Sequence, residues 1–237
     1  MEVLAIIPAR GGSKGIRNKN LMIFGGKTLV ANSVIHAQNS DLVSRIIVST
    51  DSITIKDEAL GAGAEVPFMR PSDLAEDHVL DLPVFEHALT ALRKRENYEP
   101  DYVVHLRPTA PYRRDKCVDE AILRLVNDTD ADSVRSVSEP RNHPYRVFSI
   151  ENGYLVPIMK HEHPEPHALR RQDLPKLYYY NCVIDVTKPS TIFNKKSMTG
   201  DRIRPYIMDP EEVIDIDTLR DLEIANLMFA NRINDAR

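Results

Sequence analysis

The chain opens on an unbroken apolar run, Val3-Leu4-Ala5-Ile6-Ile7. A short continuous run of this kind reads as a strand buried on both faces. Similar runs recur at Arg45 to Asp51, Val66 to Met69, Tyr102 to Leu106 and Ser133 to Val137. Between them the apolar positions change to helical spacing. Leu29, Val30, Val34 and Ala37 form one stripe, and Leu82, Phe85, Ala88, Leu89 and Leu92 a clearer one. Val118, Ile122, Leu125 and Val126 form another, and Thr54 to Leu60 reads as a short helix stopped by Gly61. Alternating strands and helices with short connections predict a mostly parallel α/β sheet, a Rossmann-like three-layer sandwich with helices on both faces.

The alternation ends after Val137. Arg146 to Ile150 and Tyr154 to Ile158 flank Glu151-Asn152-Gly153, and Asn-Gly between apolar runs signals a hairpin. Met159 to Lys176 is polar and rich in His, Pro, Arg and Glu. That is long for a structureless loop in a compact domain, so it reads as functional, mobile or an arm gripping a partner. Regular structure resumes at Tyr178 to Val186, continues in strand-like segments at Arg204 to Met208 and Val213 to Ile216, and ends in a helix carrying Leu219, Leu222, Ile224, Ala225 and Leu227.

Composition narrows the class. At 237 residues and 42% hydrophobic, the chain fits one domain, 1–237, with a sizeable core. A formal net charge of −4 gives no support to a general nucleic-acid binder. No apolar stretch approaches membrane-spanning length, and no tripartite leader precedes the first strand. Cys117 and Cys182 lack metal or redox spacing and read as reduced thiols. A cytoplasmic protein is expected.

The candidate chemistry starts where the first strand ends. Residues Ile6 to Leu21 read IIPARGGSKGIRNKNL, with Gly11, Gly12 and Gly15 among Arg10, Lys14, Arg17 and Lys19. Glycines let backbone approach an anion, and successive N–H groups can form an anion-binding nest. A strand feeding such a loop is a phosphate-cradle signal. The glycine spacing is wrong for a dinucleotide fingerprint, and Gly26-Lys27-Thr28 lacks the P-loop glycine because position 21 is Leu21.

Asp215-Ile216-Asp217 is the second motif. Carboxylates one residue apart project to one side of an extended segment, and hard oxygen ligands beside phosphate suit Mg²⁺. Alternatively, Asp217 caps the last helix. Arg70-Pro71 and Arg107-Pro108-Thr109-Ala110-Pro111 each follow a strand, where an α/β sheet presents side chains to ligand. Arg170-Arg171-Gln172 lies in the polar arm and suits a carboxylate with hydroxyls, or merely solvent. His161, His163 and His167 lack cysteine and helical spacing, so a polar loop is preferred to a zinc site. Tyr178-Tyr179-Tyr180 could line a sugar pocket or pack its alternate rings inward.

Taken in order, ARGGSKGIRNKN, RPSDLAED, RPTAPYR, RRQDLP and DIDTLRDLE resemble the acylneuraminate cytidylyltransferase family, over essentially the whole chain. The resemblance implies a nucleotide-diphospho-sugar transferase fold with an inserted dimerisation arm near 142–177, reaching the partner's active site in a homodimer. It implies transfer of CMP from CTP to a keto-sugar acid with Mg²⁺ as cofactor. Arg10, Gly11, Gly12, Ser13 and Lys14 would surround the phosphates; Lys19 would neutralise developing charge, and Asn20 would help place the nucleotide. Arg70 and Asp81 would contact the nucleotide. Arg107, Thr109, Arg171, Gln172 and Asn181 would face the acceptor. Asp215 and Asp217 would hold the metal, and Arg10, Lys14, Lys19 and Asp217 would form the catalytic set.

Three positions depart from the pattern of true sialic acid synthetases: Arg107 in place of the common Gln, Cys182 in place of Gly or Ala, and Asp185 in place of an aromatic residue. They cluster at the expected sugar pocket. Arg107 would favour an extra anionic group, so a sugar 1-phosphate with another nucleotide is the alternative acceptor system. A non-catalytic nucleotide-binding subunit is a third reading, opposed by the intact Arg10, Lys14, Lys19, Asp215 and Asp217.

Overall fold

The structure is a computed structural model and describes residues 1–13 and 15–235. Its centre is a six-stranded sheet in the order β10-β6-β9-β5-β1-β4. The strands are β1 Val3–Pro8, β4 Arg45–Ser49, β5 Tyr102–His105, β6 Ser133–Ser138, β9 Tyr179–Thr187 and β10 Ile203–Ile207. β9 runs antiparallel to both its neighbours; the other pairings are parallel.

Period-two alternation along β1 divides the core. Val3, Ala5 and Ile7 pack with α1 (Leu29–Gln38), α2 (Ile53–Gly61) and α4 (Cys117–Val126). Leu4 and Ile6 pack on the other face with α3 (Asp81–Glu96), and α5 (Pro189–Asn194) contributes Ile192 there. All five of these β1 side chains are fully buried, which is why the run carries no polar residue. The helices begin at side-chain caps where the sequence supplies them: Thr28 Oγ accepts from Ala31 N at 3.2 Å and Ser52 Oγ from Ile55 N at 3.4 Å.

The strand order sets the place of the site. From β1 the chain moves to β4 on one side, then crosses to β5 on the other. Loops leaving β1 and β5 therefore diverge, opening a crevice at the carboxyl ends of these strands.

A third, smaller core lies beyond that edge. Ile16, Phe24, Leu29, Ile214, Ile216, Leu222 and Ala225 bury together beneath α6 (Leu219–Asp235). Here β2 (Ile23–Phe24) and β3 (Lys27–Thr28) form a hairpin unforeseen from sequence. Its turn is Gly25-Gly26, with φ of 58° and 82°. A Cβ at Gly25 would stand 2.7 Å from Phe229, so the site requires glycine twice over.

Two expected strands are absent. Val66 to Met69 forms none: Glu65 alone bridges Ile47, and Arg70 N then donates to Thr50 O at 2.7 Å. Pro67, with no N–H, sits between these contacts and interrupts the ladder. Val213 to Ile216 is extended but unpaired, except that Ile216 N donates to Thr109 O at 2.9 Å. The facing segment contains Pro108 and Pro111, which cannot donate to a ladder.

The polar insertion leaves β6 and returns in β9. Its hairpin, β7 (Phe148–Glu151) with β8 (Tyr154–Pro157), forms a separate two-stranded sheet. Ile150 is 75% and its cross-strand partner Leu155 66% exposed, so one apolar strip of it faces solvent. No helix among the described residues is long and apolar enough to cross a membrane.

One partly buried group gives a pH test of this core. His36, whose Nε2 lies 3.0 Å from Pro111 O, has its pKa lowered to about 4, by burial first and the nearby Arg113 charge second. The folded pKa lies below the unfolded one, so the unfolded chain binds the proton first. The stabilisation is present above about pH 6.5 and is lost as pH falls towards 4. Relative to His36→Gln, the unmutated protein is expected to lose roughly 3 kcal/mol across that window. Denaturant titrations of both proteins at pH 7 and pH 4 measure the difference.

Candidate active site

The expected phosphate loop emerges from β1 straight into the crevice. Gly11 N donates to Asp51 Oδ1 at 2.9 Å, tying the loop to the polar tip of β4. A Cβ on Gly11 would come within 2.9 Å of Ser52 Cβ, so only glycine passes there. Gly12 has open space around its Cα. Asn20 is buried and donates from Nδ2 to Arg10 O at 2.9 Å, folding the loop back on itself. Lys14 lies outside the described residues.

A cavity of about 220 Å³ joins the ends of three strands. It is lined by Pro8, Arg10, Ser13, Lys19, Asn20, Arg70, Val79, Asp81, Val84, Arg107, Pro108 and Thr109. Motifs far apart in sequence thus meet in one place. A larger depression, about 660 Å³, lies on the outer face of α3 beside Glu86, Lys94 and Phe193, but holds none of the motif residues.

Every cation with a resolved partner in this cavity faces a carboxylate or a carbonyl. Arg10 pairs with Asp77. Lys19 Nζ donates to Asp217 Oδ1 at 2.9 Å and to Ile216 O at 3.1 Å. Arg70 is buried against β4, donating to Ser49 O at 2.6 Å and Ser49 Oγ at 3.1 Å; burial lowers its pKa to about 10. Its guanidinium remains charged at neutral pH. Arg107 bridges Asp81 Oδ2 at 2.6 Å and Asp185 Oδ2 at 2.7 Å. Burial opposes its charge, but Asp185 and then Asp81 more than offset this and raise the pKa.

Asp215 and Asp217 alternate with the buried Ile214 and Ile216, so both carboxylates face out on one side, as period two requires. The helix cap is Thr218, whose Oγ accepts from Asp221 N at 3.2 Å, while Asp221 Oδ2 accepts from Thr218 N at 2.7 Å. Asp217 does not cap; it goes to Lys19. Although Asp215 faces out, the chain around its carboxyl partly desolvates it and raises its pKa, with the charge of Asp217 the second cause. Two carboxylates this close, with Lys19 the cation on Asp217, form a donor set short of positive charge. Hard oxygen donors with that deficit fit a divalent cation. Among the described residues no group of three or more His, Cys, Asp or Glu could hold a metal, so phosphate or water oxygens would have to complete the coordination.

Other sequence candidates lie elsewhere. Arg171 and Gln172 line a second cavity, about 390 Å³, within the arm beside Glu139, His143 and Lys176. Asn181 is buried, donating to Ser138 Oγ at 2.9 Å and accepting from Val183 N at 3.3 Å, so its amide is occupied inside the sheet. Tyr178, Tyr179 and Tyr180 are all partly exposed, and Tyr180 Oη accepts from Arg107 Nη1 at 2.7 Å. The histidines of the arm serve its backbone: His161 Nδ1 accepts from His163 N at 2.9 Å, and His163 Nδ1 from Glu165 N at 3.0 Å. Both cysteines are free thiols. Sequence reading missed Asp51 and Asp77 as partners of the loop. Both were within reach, the first as the polar tip of a strand and the second inside RPSDLAED.

Comparison with known proteins agrees with this geometry. A family profile described as Cytidylyltransferase matches residues 4–200. The CMP-N,N'-diacetyllegionaminic acid synthase of Campylobacter jejuni is 32% identical over 97% of this chain and 95% of its own length. Its namesake from Legionella pneumophila is 33% identical over 92% of each. A pseudaminic acid cytidylyltransferase of Campylobacter jejuni is 30% identical over 97% of each. The fold matches a CMP:2-keto-3-deoxy-manno-octonic acid synthetase solved with CTP, at a TM-score of 0.73 and 16% identity, over 98% of this chain and 100% of that one. With the profile spanning most of its length and full-length relatives above 30% identity, this chain belongs to the cytidylyltransferase family.

Proposed function

We propose that this cytidylyltransferase transfers CMP from CTP to the anomeric hydroxyl of a nine-carbon keto-sugar acid, releasing pyrophosphate. The observation that carries the reading is the single cavity lined by Arg10, Ser13, Lys19, Asn20, Arg70 and Arg107, with Asp217 held at its edge by Lys19. The relatives named for legionaminic and pseudaminic acids support the acceptor class.

In this reading the glycine loop and Arg10 bind the triphosphate, which displaces Asp77 from Arg10. Lys14, outside the described residues, is assigned to the same phosphates from the sequence motif alone. Lys19 stands over the reacting phosphates and neutralises charge that develops as the pyrophosphate leaves. Its ammonium is fixed by Ile216 O and Asp217 before substrate arrives, so little reorganisation is needed at the moment of reaction. Asp215 and Asp217 would hold Mg²⁺, which when bound supplies Lewis-acid charge to phosphate oxygens. Asn20 keeps the loop folded, Arg70 and Asp81 border the nucleotide, and Thr109 carries the backbone that anchors Ile216.

The alternative acceptor, a sugar 1-phosphate with another nucleotide, rests on Arg107 favouring an extra anionic group. Its guanidinium already pairs with Asp81 and Asp185, so an anion there exchanges with the exposed Asp81 alone, and the single carboxylate of a sugar acid suffices for that exchange. For the homodimer, the support is the exposed apolar strip of the hairpin and the seating of Arg171 and Gln172 in the arm, outside the nucleotide cavity.

Pyrophosphate release tests the reaction, using each ribonucleoside triphosphate with legionaminic, pseudaminic and sialic acids and hexose 1-phosphates. Release with CTP and one nine-carbon acid, abolished by EDTA and restored by Mg²⁺, is expected; release only with a sugar 1-phosphate refutes the reading. Asp217→Asn and Lys19→Met should each lower kcat by about 10²- to 10³-fold while leaving the Tm near that of the unmutated protein. Mixing refolded Arg171→Ala and Asp217→Asn subunits should recover activity that neither homodimer has. No recovery would mean that each arm serves its own subunit.

A further inference from the structure

The sheet hides a line of polar groups that the reaction above does not use. Strand register sets Arg135 of β6 opposite Asp185 of β9, and Asp185 opposite His105 of β5. All three are buried, and Asp185 is fully so. A single oxygen, Asp185 Oδ2, accepts from Arg107 Nη1 at 2.7 Å and from Tyr180 Oη, and forms an ion pair with Arg135 Nη1 at 2.5 Å. Both guanidinium groups lie over the Tyr180 ring, at 5.5 and 5.7 Å from its centroid. His105 Nδ1 stands 3.7 Å from the same oxygen, and neither of its ring nitrogens has a hydrogen-bond partner among the described residues. Burial and the surrounding arginines keep that ring neutral.

Burying a carboxylate is costly unless it is paired, and apolar side chains fill such a space with less risk. What this cluster achieves that apolar residues could not is to fix one guanidinium. Of its members only Arg107 lines the nucleotide cavity. Its two ends are held differently. Nη1 is bound to Asp185 and Tyr180 below, and Nη2 to Asp81, whose side chain is 40% exposed at the cavity. An arriving anion can take Nη2 from Asp81 while Nη1 stays anchored. Along the sheet edge the order is Arg70 packed against the end of β4, the phosphate loop after β1, Arg107 after β5, then Tyr180 on β9, where the arm returns. Arg107 therefore stands on the acceptor's side of the triphosphate.

We propose that Asp185 is a positioning residue for the acceptor: through Arg107 it sets where the carboxylate of the sugar acid binds, with Tyr180 as its helper. The inference rests on the sugar-acid reading above. It also joins two of the three departures noted in the sequence, because Arg107 and Asp185 are the two halves of one ion pair.

Steady-state kinetics separate the substrates. Asp185→Asn keeps the shape and removes the charge; it should raise the KM for the sugar acid about tenfold and change the KM for CTP less than about twofold. In an Arg107→Gln background the same substitution should add nothing. Tyr180→Phe, at a half-exposed position, should raise the acceptor KM about threefold, again with no effect once Arg107 is Gln. Equal rises in both KM values, or an acceptor effect that persists without Arg107, overturn the proposal. If Asp185→Asn does not fold, the Tyr180 and Arg107 cycle decides alone. A failure of the sugar-acid reading would look different: the unmutated enzyme would release no pyrophosphate with CTP and any nine-carbon acid.

Discussion

The site depends on a small apolar contact, the packing of Ile16 against Ile214 and Ile216 beneath α6. These residues come from opposite ends of the chain. Their burial removes water from between the glycine loop and the Asp-Ile-Asp segment, and so decides that Lys19 and Asp217 meet. The alternating pattern does the rest: with both isoleucines inward, both aspartates must face outward. The bond from Ile216 N to Thr109 O then fixes the segment against the loop after β5. A few buried methyl groups thus hold three loops in register, while the main sheet only brings their roots together.

The second constraint is electrostatic. A cleft for a triphosphate needs several cations close together, and in the free protein these would repel one another. Here Asp77, Asp217, Asp81 and Asp185 interleave with Arg10, Lys19 and Arg107. The interleaving explains how a chain of net charge −4 keeps so basic a crevice. Partners exposed to solvent can yield to substrate at small cost, since such pairs contribute little. Asp185 cannot yield, because it has no solvent to move into.

The apolar patterning made the layers legible. β1 and the stripe of α3 are periodic and deeply buried, and for such segments burial and sequence say the same thing. The phosphate loop and Asp215-Ile216-Asp217 were legible for a different reason: their chemistry requires residue types at short range. What stayed hidden was non-local. That Asp185 would sit between Arg135 and His105 follows from strand order and register, which no local pattern encodes. The Gly25-Gly26 hairpin was written in the sequence, but Gly26-Lys27-Thr28 drew attention as a failed phosphate motif. Val66 to Met69 carried an apolar signal that Pro67 overrode.

The pairing of Ser138 with Tyr179 has its own consequence. The long excursion from β6 to β9 leaves and re-enters the sheet through adjacent hydrogen-bonded residues, like a pouch drawn closed at the neck. Its contents add no strain to the strands that carry the chemistry. Loop closure grows only logarithmically with length, about 0.6 kcal/mol per doubling. Evolution could therefore enlarge, trim or replace the pouch almost freely while the crevice at the strand ends stays as it was.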